Sequence, residues 1–403
     1  MPWSIRTILI ISAAGALFEW YVARKTINAI ATLTAWPVKR IRVVVGAIVG
    51  WFVLYPLALI GSHYLQLGQV SRALQSSDML VDKFLIYPFW IGMILSVQLA
   101  LFLLVIDAAR LLLFPLYRRH RARWLLIQAR VVMLIVCAGS AYVMARVYFD
   151  TFTVRTRQIE IQVKNLSESL EGFRIAQIAD VQVDGRTNGT RVERFVDRVN
   201  GLNPDLILFC GDLVTSGTDY IESAAAELGK LKAKYSTYAC LGDHDFFSDH
   251  ARVISSLEKN GVRVLNNSVA EVPANPNPIS LTGITNVYRT RPEEIVLQTL
   301  EEQRTQAAVN ILLTHQPSEW LVKHAEENRY DLFLAGHTHG GQIAFPLPGF
   351  LLTGSSFETP YVSGLYRVGS MFVSVTNGFG LTLAPVRYNA PAEITLITLR
   401  GEK

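Results

Sequence analysis

Five apolar runs in this 403-residue sequence each stop at an acid or an imidazole, and those stops hold the residue types able to do chemistry. Asp180 follows Phe173–Ala179, and Asp212 follows Cys210-Gly211. Asp243 and His244 follow Leu241-Gly242, His315 follows Thr314, and His337 and His339 follow Ala335-Gly336. Four of the chain's eight histidines stand at these stops, too many for scatter. Carboxylates and imidazoles in one place make a site for hard or borderline divalent metals. One strand-end histidine or one Gly-Asp turn carries little. Five in sequence point to a metal centre, and the His337-Thr338-His339 pair can reach two neighbouring ions.

An alternating α/β framework must bring these stops together. Strands are expected at Gln158–Lys164, Phe173–Ala179, Asp205–Cys210, Tyr235–Leu241, Val309–Leu313, Leu332–Ala335 and Glu393–Leu399. Helical spacing falls at Thr190–Leu202, Glu222–Lys232 and Val253–Asn260, while Val262–Ile284 breaks into short strands. Open α/β sheets present their ligands at the carboxyl ends of their strands. Gly211, Gly242 and Gly336 adjoin the stops, where tight turns bring backbone close to a ligand.

The order of these motifs resembles the calcineurin-like metallophosphoesterase superfamily, whose pattern is Asp-x-His, Gly-Asp-x-x-Asp, Gly-Asn-His-Asp/Glu, a lone His and Gly-His-x-His. Here they stand as Asp180-Val181-Gln182, Gly211-Asp212-Leu213-Val214-Thr215, Gly242-Asp243-His244-Asp245, His315 and Gly336-His337-Thr338-His339. The longer string through Gly340-Gly341-Gln342, with Pro391-Ala392-Glu393-Ile394, looks like the bacterial membrane-anchored branch. The resemblance covers roughly 158–400 and implies an α/β fold, a four-layer αββα sandwich with a two-metal centre.

By matched motif, one metal would be held by Asp180, Gln182, Asp212 and His339. The second would be held by Asp212 as a bridge, Asp243, His315 and His337. His244 would be the catalytic imidazole, and a metal-bridging hydroxide the nucleophile. Three departures stand out: Gln182 for an imidazole, Asp243 for an amide, and Thr215 for the acid that commonly orients the catalytic histidine. Trading a nitrogen ligand for an anionic oxygen favours Mn, Fe or Mg over Zn. With Thr215 in place, His244 is expected to be held by another group, such as Asp245, or to be held poorly. Asp184 and His250 lie off the spacing and are read as surface residues. Arg387 is read as exposed or ion-paired before it is read as a phosphate contact.

The front of the chain has a different composition. Overall the chain is half hydrophobic, with mean hydropathy +0.27 and a net charge of +5. Residues 1–149 hold 15 basic and four acidic residues, net +11; the remainder holds 23 and 29, net −6. The basic balance therefore belongs to the front. An acidic back argues against nucleic acid, which expects a basic groove.

Apolar runs at Ile5–Trp20, Val43–Ile60, Phe84–Ile106 and Trp124–Ala145 approach the roughly 17–25 residues that cross a bilayer. About four transmembrane helices are expected in a membrane domain over 1–149, followed by a metallophosphoesterase domain over 150–403. Ten cations cluster between runs one and two (Arg24, Lys25, Lys39, Arg40, Arg42) and between runs three and four (Arg110, Arg118, Arg119, Arg121, Arg123). Cytoplasmic loops retain Lys and Arg, so the back is expected on the non-cytoplasmic side, in a bacterial inner membrane. Glu19, Asp107 and Arg110 lie near run ends and are expected to be solvated or paired there, with no transport path. Cys137, Cys210 and Cys240 are too scattered for a disulfide framework.

The sequence thus predicts a membrane-tethered, metal-dependent phosphoesterase. Its expected partners are the membrane and a phosphate ester, with a lipid-linked one favoured because tethering raises effective concentration. The rival is a catalytically silent membrane metal-binding or scaffold protein of the same fold.

Overall fold

The computed structural model describes residues 3–274, 277–288, 291–305 and 307–402. These fall into two compact units, Met1–Phe149 with Leu383–Tyr388, and Asp150–Thr382 with Asn389–Lys403.

The first unit is helical: α1 (Trp3–Leu33), α2 (Val38–Tyr64), α3 (Gly68–Gln75), α4 (Tyr87–Tyr117) and α5 (Arg121–Phe152). Four of its helical stretches are long and apolar enough to cross a membrane: Ile5–Leu33, Val38–Tyr64, Met79–Pro115 and Arg121–Phe152. Leu17, Val43, Leu57, Leu111, Leu112 and Leu134 are exposed on it. Such a surface suits hydrocarbon, where a helix satisfies its own backbone. Asp107 accepts from Lys25 Nζ and from the Tyr21 hydroxyl at 2.8 Å, tying α4 to α1. Some expectations need correction here. Glu19 is buried within the unit, 5% exposed, where solvation or pairing at a helix end was expected. Arg24, Lys25 and Arg110 lie inside helices, because α1 and α4 run well beyond the apolar runs that mark them. Arg387, expected to be exposed or ion-paired, is fully buried, which removes only the exposed alternative.

The second unit is built on two six-stranded sheets. The first has order β1 (Val154–Val163), β14 (Ala392–Gly401), β2 (Arg174–Ile178), β3 (Leu206–Phe209), β4 (Ser236–Ala239), β5 (Arg263–Val264). The second has order β12 (Gly364–Val368), β13 (Met371–Val375), β9 (Leu332–Ala335), β8 (Val309–Thr314), β7 (Ile279–Ile284), β6 (Ser268–Val272). A small hairpin, β10 (Phe345–Leu347) and β11 (Phe350–Leu352), lies apart from both.

Period-two alternation sorts each strand between two cores. Leu206 and Leu208 of β3 enter the core between the sheets with Leu281, Ile311, Leu313 and Leu334. Ile207 and Phe209 face the other way, onto α6 (Thr190–Asn200), α7 (Ile221–Leu228) and α9 (His250–Lys259). In the second sheet Leu312 and Phe333 turn outward onto α10 (Glu294–Gln303) and α11 (Glu319–Glu327). The layers are helix, sheet, sheet, helix, the αββα sandwich. A further short helix, α8 (Asp243–Ser248), begins directly at the site.

Polar ties fix one sheet against the other near their functional edge. Gln177 on β2 donates to the carbonyls of Ala335 at 2.9 Å and Ser374 at 3.0 Å, and accepts from the Ser374 hydroxyl at 2.7 Å. Buried polar groups that are fully satisfied rigidify such a junction. Glu393 accepts from Arg157 Nε at 3.0 Å while the Arg157 guanidinium donates to Val375 O at 3.2 Å. The Pro391-Ala392-Glu393-Ile394 string is thus part of the scaffold.

Candidate metal centre

Strands β2, β3 and β4 are mutually parallel in one sheet, and β8 and β9 in the other. Their carboxyl ends therefore share an edge in each sheet, and all eight sequence-predicted residues gather there. His315 is the hub: its Nε2 lies 3.0 Å from Asp243, 3.3 Å from Asp212 and 3.9 Å from Asp180. His337 Nδ1 lies 3.1 Å from the same Asp243 oxygen, and His339 Nε2 lies 3.6 Å from Asp180. Gln182 donates its amide N–H to Asp212 at 2.7 Å. Two sets, Asp180–Asp212–His315 and Asp243–His315–His337, each offer ligand atoms within 4.8 Å of one another.

Turn chemistry makes this convergence. Asp180, Gln182, Asp212, His337 and His339 all have φ between 50° and 68°, in the left-handed region. Each such non-glycine conformation costs about 1–3 kcal/mol and concentrates at functional sites. Close backbone approach holds them there: a Cβ at Gly242 would run into the Asp212 carboxylate, and one at Gly336 into that of Asp180. Gln342 exchanges both amide hydrogen bonds with Thr382, at 2.8 and 2.9 Å, which anchors the loop beneath the site.

The donor set fits divalent cations on three counts. First, His315 Nδ1 donates to Cys210 O at 2.7 Å, which leaves the lone pair on Nε2. That nitrogen is buried without a hydrogen-bond partner and faces three carboxylates. A lone pair among anionic oxygens is repulsive unless a proton or a metal sits between them, and a histidine fixed through its other nitrogen is the usual arrangement for a ligand. Second, Gln182 Oε1 is buried and has no partner, leaving its amide oxygen as a ligand atom. Third, Asp212 accepts His244 N–H on Oδ1 and the Gln182 amide on Oδ2, and a carboxylate has about four lone-pair directions, so two remain for bridging.

Without metal, protons take the cations' place. Burial disfavours a charged His315, but Asp212 and Asp243 outweigh it and raise its pKa well above the ordinary value. For His337, burial is likewise overcome by Asp243 and Glu358, lifting it to about 9. Burial also opposes ionisation of Asp243, yet the two imidazoles hold its carboxyl well below the usual range.

The support of His244 differs from expectation. Its Nδ1 is held by the backbone carbonyl of Thr215, so Nε2 is the nitrogen left for other work. Asp245, expected as the alternative support, instead accepts three backbone N–H groups, from Asp212 at 3.0 Å, Leu213 at 2.9 Å and Gly242 at 2.9 Å. Residue 245 leaves the first turn of α8 in a direction unlike that of residue 244. Thr215 gives its hydroxyl to Gln182 O at 2.9 Å and Asp184 at 3.1 Å. Asp184 also caps a turn at Arg186 and Thr187, and His250 is exposed and stacked on Phe246 at 4.5 Å. Cys210 and Cys240 are fully buried thiols, as expected of small hydrophobes.

Two neighbours of His337 were not anticipated. Glu358 Oε2 lies 3.2 Å and the Tyr288 hydroxyl 2.9 Å from its Nε2. No motif spacing marks either residue.

Residues 173–341 match the family model for calcineurin-like phosphoesterases. That matched stretch contains all eight of the strand-end residues and is similar to the calcineurin-like phosphoesterase domain. The chain is 34% identical over 255 residues to the zebrafish (Danio rerio) "Transmembrane protein with metallophosphoesterase domain", an alignment covering 60% of this chain and 56% of that protein. The chain thus spans little more than half the length of that relative. With the metallophosphoesterase YkuE of Bacillus subtilis it shares 29% identity over 269 residues, 66% of this chain and 91% of that one. A solved structure of a hypothetical protein from Thermus thermophilus aligns at TM-score 0.35 and 16% identity, over 51% of this chain and 76% of that chain. Animal and bacterial relatives are thus both represented, and four membrane-length helices among the described residues support a membrane location for this chain.

Proposed function

We propose that this protein is a membrane-tethered hydrolase of phosphate esters that works with two divalent ions. The observation that carries the reading is His315: a buried nitrogen lone pair facing three carboxylates, with its tautomer fixed by Cys210 O. Asp180, Gln182, Asp212 and His339 would hold one ion, and Asp212, Asp243, His315 and His337 the other. Bound there, divalent ions supply Lewis acidity toward phosphoryl oxygens and lower the pKa of bound water. His244, oriented by Thr215 O, presents Nε2 as a hydrogen-bond and proton donor to the departing ester oxygen. Burial lowers the His244 pKa and the Asp212 and Asp243 charges raise it, for a net rise that keeps a proton available. The oxygen-rich ligand set favours Mn, Fe or Mg over Zn.

The proposed division is a membrane domain over 1–149 and a catalytic domain over 150–403. A lipid-linked ester is the favoured substrate. Phe247 and Tyr288 are exposed beside two of the imidazoles, the Phe247 ring 5.8 Å from that of His244 and the Tyr288 ring 5.2 Å from that of His337. An apolar rim suits an ester with an apolar substituent. The cation pattern supports a non-cytoplasmic catalytic domain, and the Gly336–Gln342 string supports the bacterial membrane-anchored branch and an inner-membrane setting. A C-terminal reporter active only outside the cytoplasm would agree with that side.

The test is turnover by the full chain in detergent with Mn²⁺, using bis-p-nitrophenyl phosphate, p-nitrophenyl phosphate and a lipid phosphate. Metal-dependent release of product supports the enzyme. Tight metal binding with no turnover of any of the three supports the silent scaffold instead.

A further inference from the structure

We propose that Glu358 and Tyr288 position His337 as a metal ligand, holding its ring so that Nδ1 carries the lone pair on the metal side. The inference rests on the metal-site reading above. A neutral imidazole has one N–H and one lone pair, and its neighbours decide which nitrogen has which. On the outer side, Nε2 meets Glu358 Oε2 at 3.2 Å and the Tyr288 oxygen at 2.9 Å. Tyr288 gives its own proton to the same Glu358 oxygen at 2.9 Å. Both neighbours of Nε2 are therefore acceptors, and Nε2 must be the nitrogen that donates. On the inner side Nδ1 is left facing Asp243 Oδ1 at 3.1 Å, the lone-pair conflict that a cation resolves.

Neither residue lies in the motif strings. Tyr288 follows β7, and Glu358 closes the turn after Gly354–Phe357, so two separate loops meet on one ring. Asp180 takes the backbone N–H of His337 at 3.1 Å, which fixes the main chain but not the ring. Without Glu358 the ring is free to turn over and present the wrong nitrogen. Outer-sphere partners of ligating histidines are typically worth about 10–100-fold in metal affinity.

The experiment is Mn²⁺ titration of the full chain in detergent, with free Mn²⁺ followed by electron paramagnetic resonance so that the two sites are read separately. Glu358→Ala is expected to weaken one of two sites by about 10–100-fold and leave the other within about threefold. Tyr288→Phe should weaken the same site less, and Glu358→Gln should recover part of the loss, because an amide oxygen still accepts. Because the Glu358 side chain is 46% exposed and lies in a loop, truncation there leaves the core intact. Two unchanged sites in Glu358→Ala, or both weakened equally, would overturn this inference alone. A wild-type chain that binds no Mn²⁺ would overturn the metal reading and this inference with it.

Discussion

The carboxylate of Asp245 accepts the backbone N–H of Asp212 at 3.0 Å, so the acid next to His244 fixes the main chain of the proposed bridging ligand. With Leu213 and Gly242 it satisfies three buried donors. Asp245→Ala strands them at about 1–3 kcal/mol each before relaxation. The thermal midpoint of the full chain should fall by roughly 6–12 °C, and by less in Asp245→Asn, whose amide oxygen can still accept. A shift within error for Asp245→Ala would contradict this role.

The pH dependence of the metal-free protein has a definite sign. Burial, then the Asp212 charge, pushes Asp245 up to about 7 from 3.8. His337 is lifted from 6.5 to about 9 because its two carboxylates outweigh burial. Both folded values exceed the unfolded ones, so the folded state binds more protons and stability falls as pH rises. Asp245's contribution is complete below its ordinary value and lost through about 7; that of His337 is complete below 6.5 and lost through about 9. Metal binding needs the proton on the ligating His337 nitrogen gone. Chelated protein should therefore melt lower at pH 8 than at pH 6, and saturating Mn²⁺ should stabilise it more at pH 8. Equal metal stabilisation at both would contradict this.

Removing the His244 ring should cost about 10²–10⁴ in kcat, with both metals retained. Thr215→Ala should cost less than about fivefold, because the carbonyl that orients the ring belongs to the backbone and survives the change. Comparable losses in the two variants would mean that the Thr215 side chain takes part.

In the proposed ligand set Gln182 would offer its unpartnered amide oxygen to the ion held with Asp180 and Asp212. Gln182→Leu should lower affinity at that site alone by about 10-fold or more, and Gln182→His should raise it, since imidazole is the stronger donor. Mn²⁺ titration reads both. Unchanged affinity in Gln182→Leu would remove the residue from the ligand set.

The positions of the strand ends were legible because apolar runs that stop at Asp or His leave a local signal. Leu332–Ala335 is the clearest case, its observed bounds equal to those expected. The layer order came from family resemblance and not from periodicity. Helices α10 and α11 were not anticipated: their apolar residues bunch at Ile295–Leu297 and Trp320–Val322, with one further apolar position each (Leu300, Ala325) in helices of ten and nine residues. The role of Asp245 was misread because adjacency in sequence suggested a partner for His244, whereas successive side chains at a helix start point apart. Glu358 and Tyr288 were invisible for a different reason. They are separated by 70 residues and meet only through loop geometry, which no motif encodes.

Burial of Glu19 was equally beyond composition. It sits in an otherwise apolar stretch, where a window average treats charge as a boundary and not as an interior group.

Anomalous scattering from crystals of the full chain grown with Mn²⁺ tests the central claim most directly. It should give two peaks of Mn, one contacted by Asp180, Gln182 and His339, the other by Asp243, His315 and His337, with Asp212 touching both. No peak at the carboxyl ends of these strands, or a single peak that leaves either set empty, would contradict it.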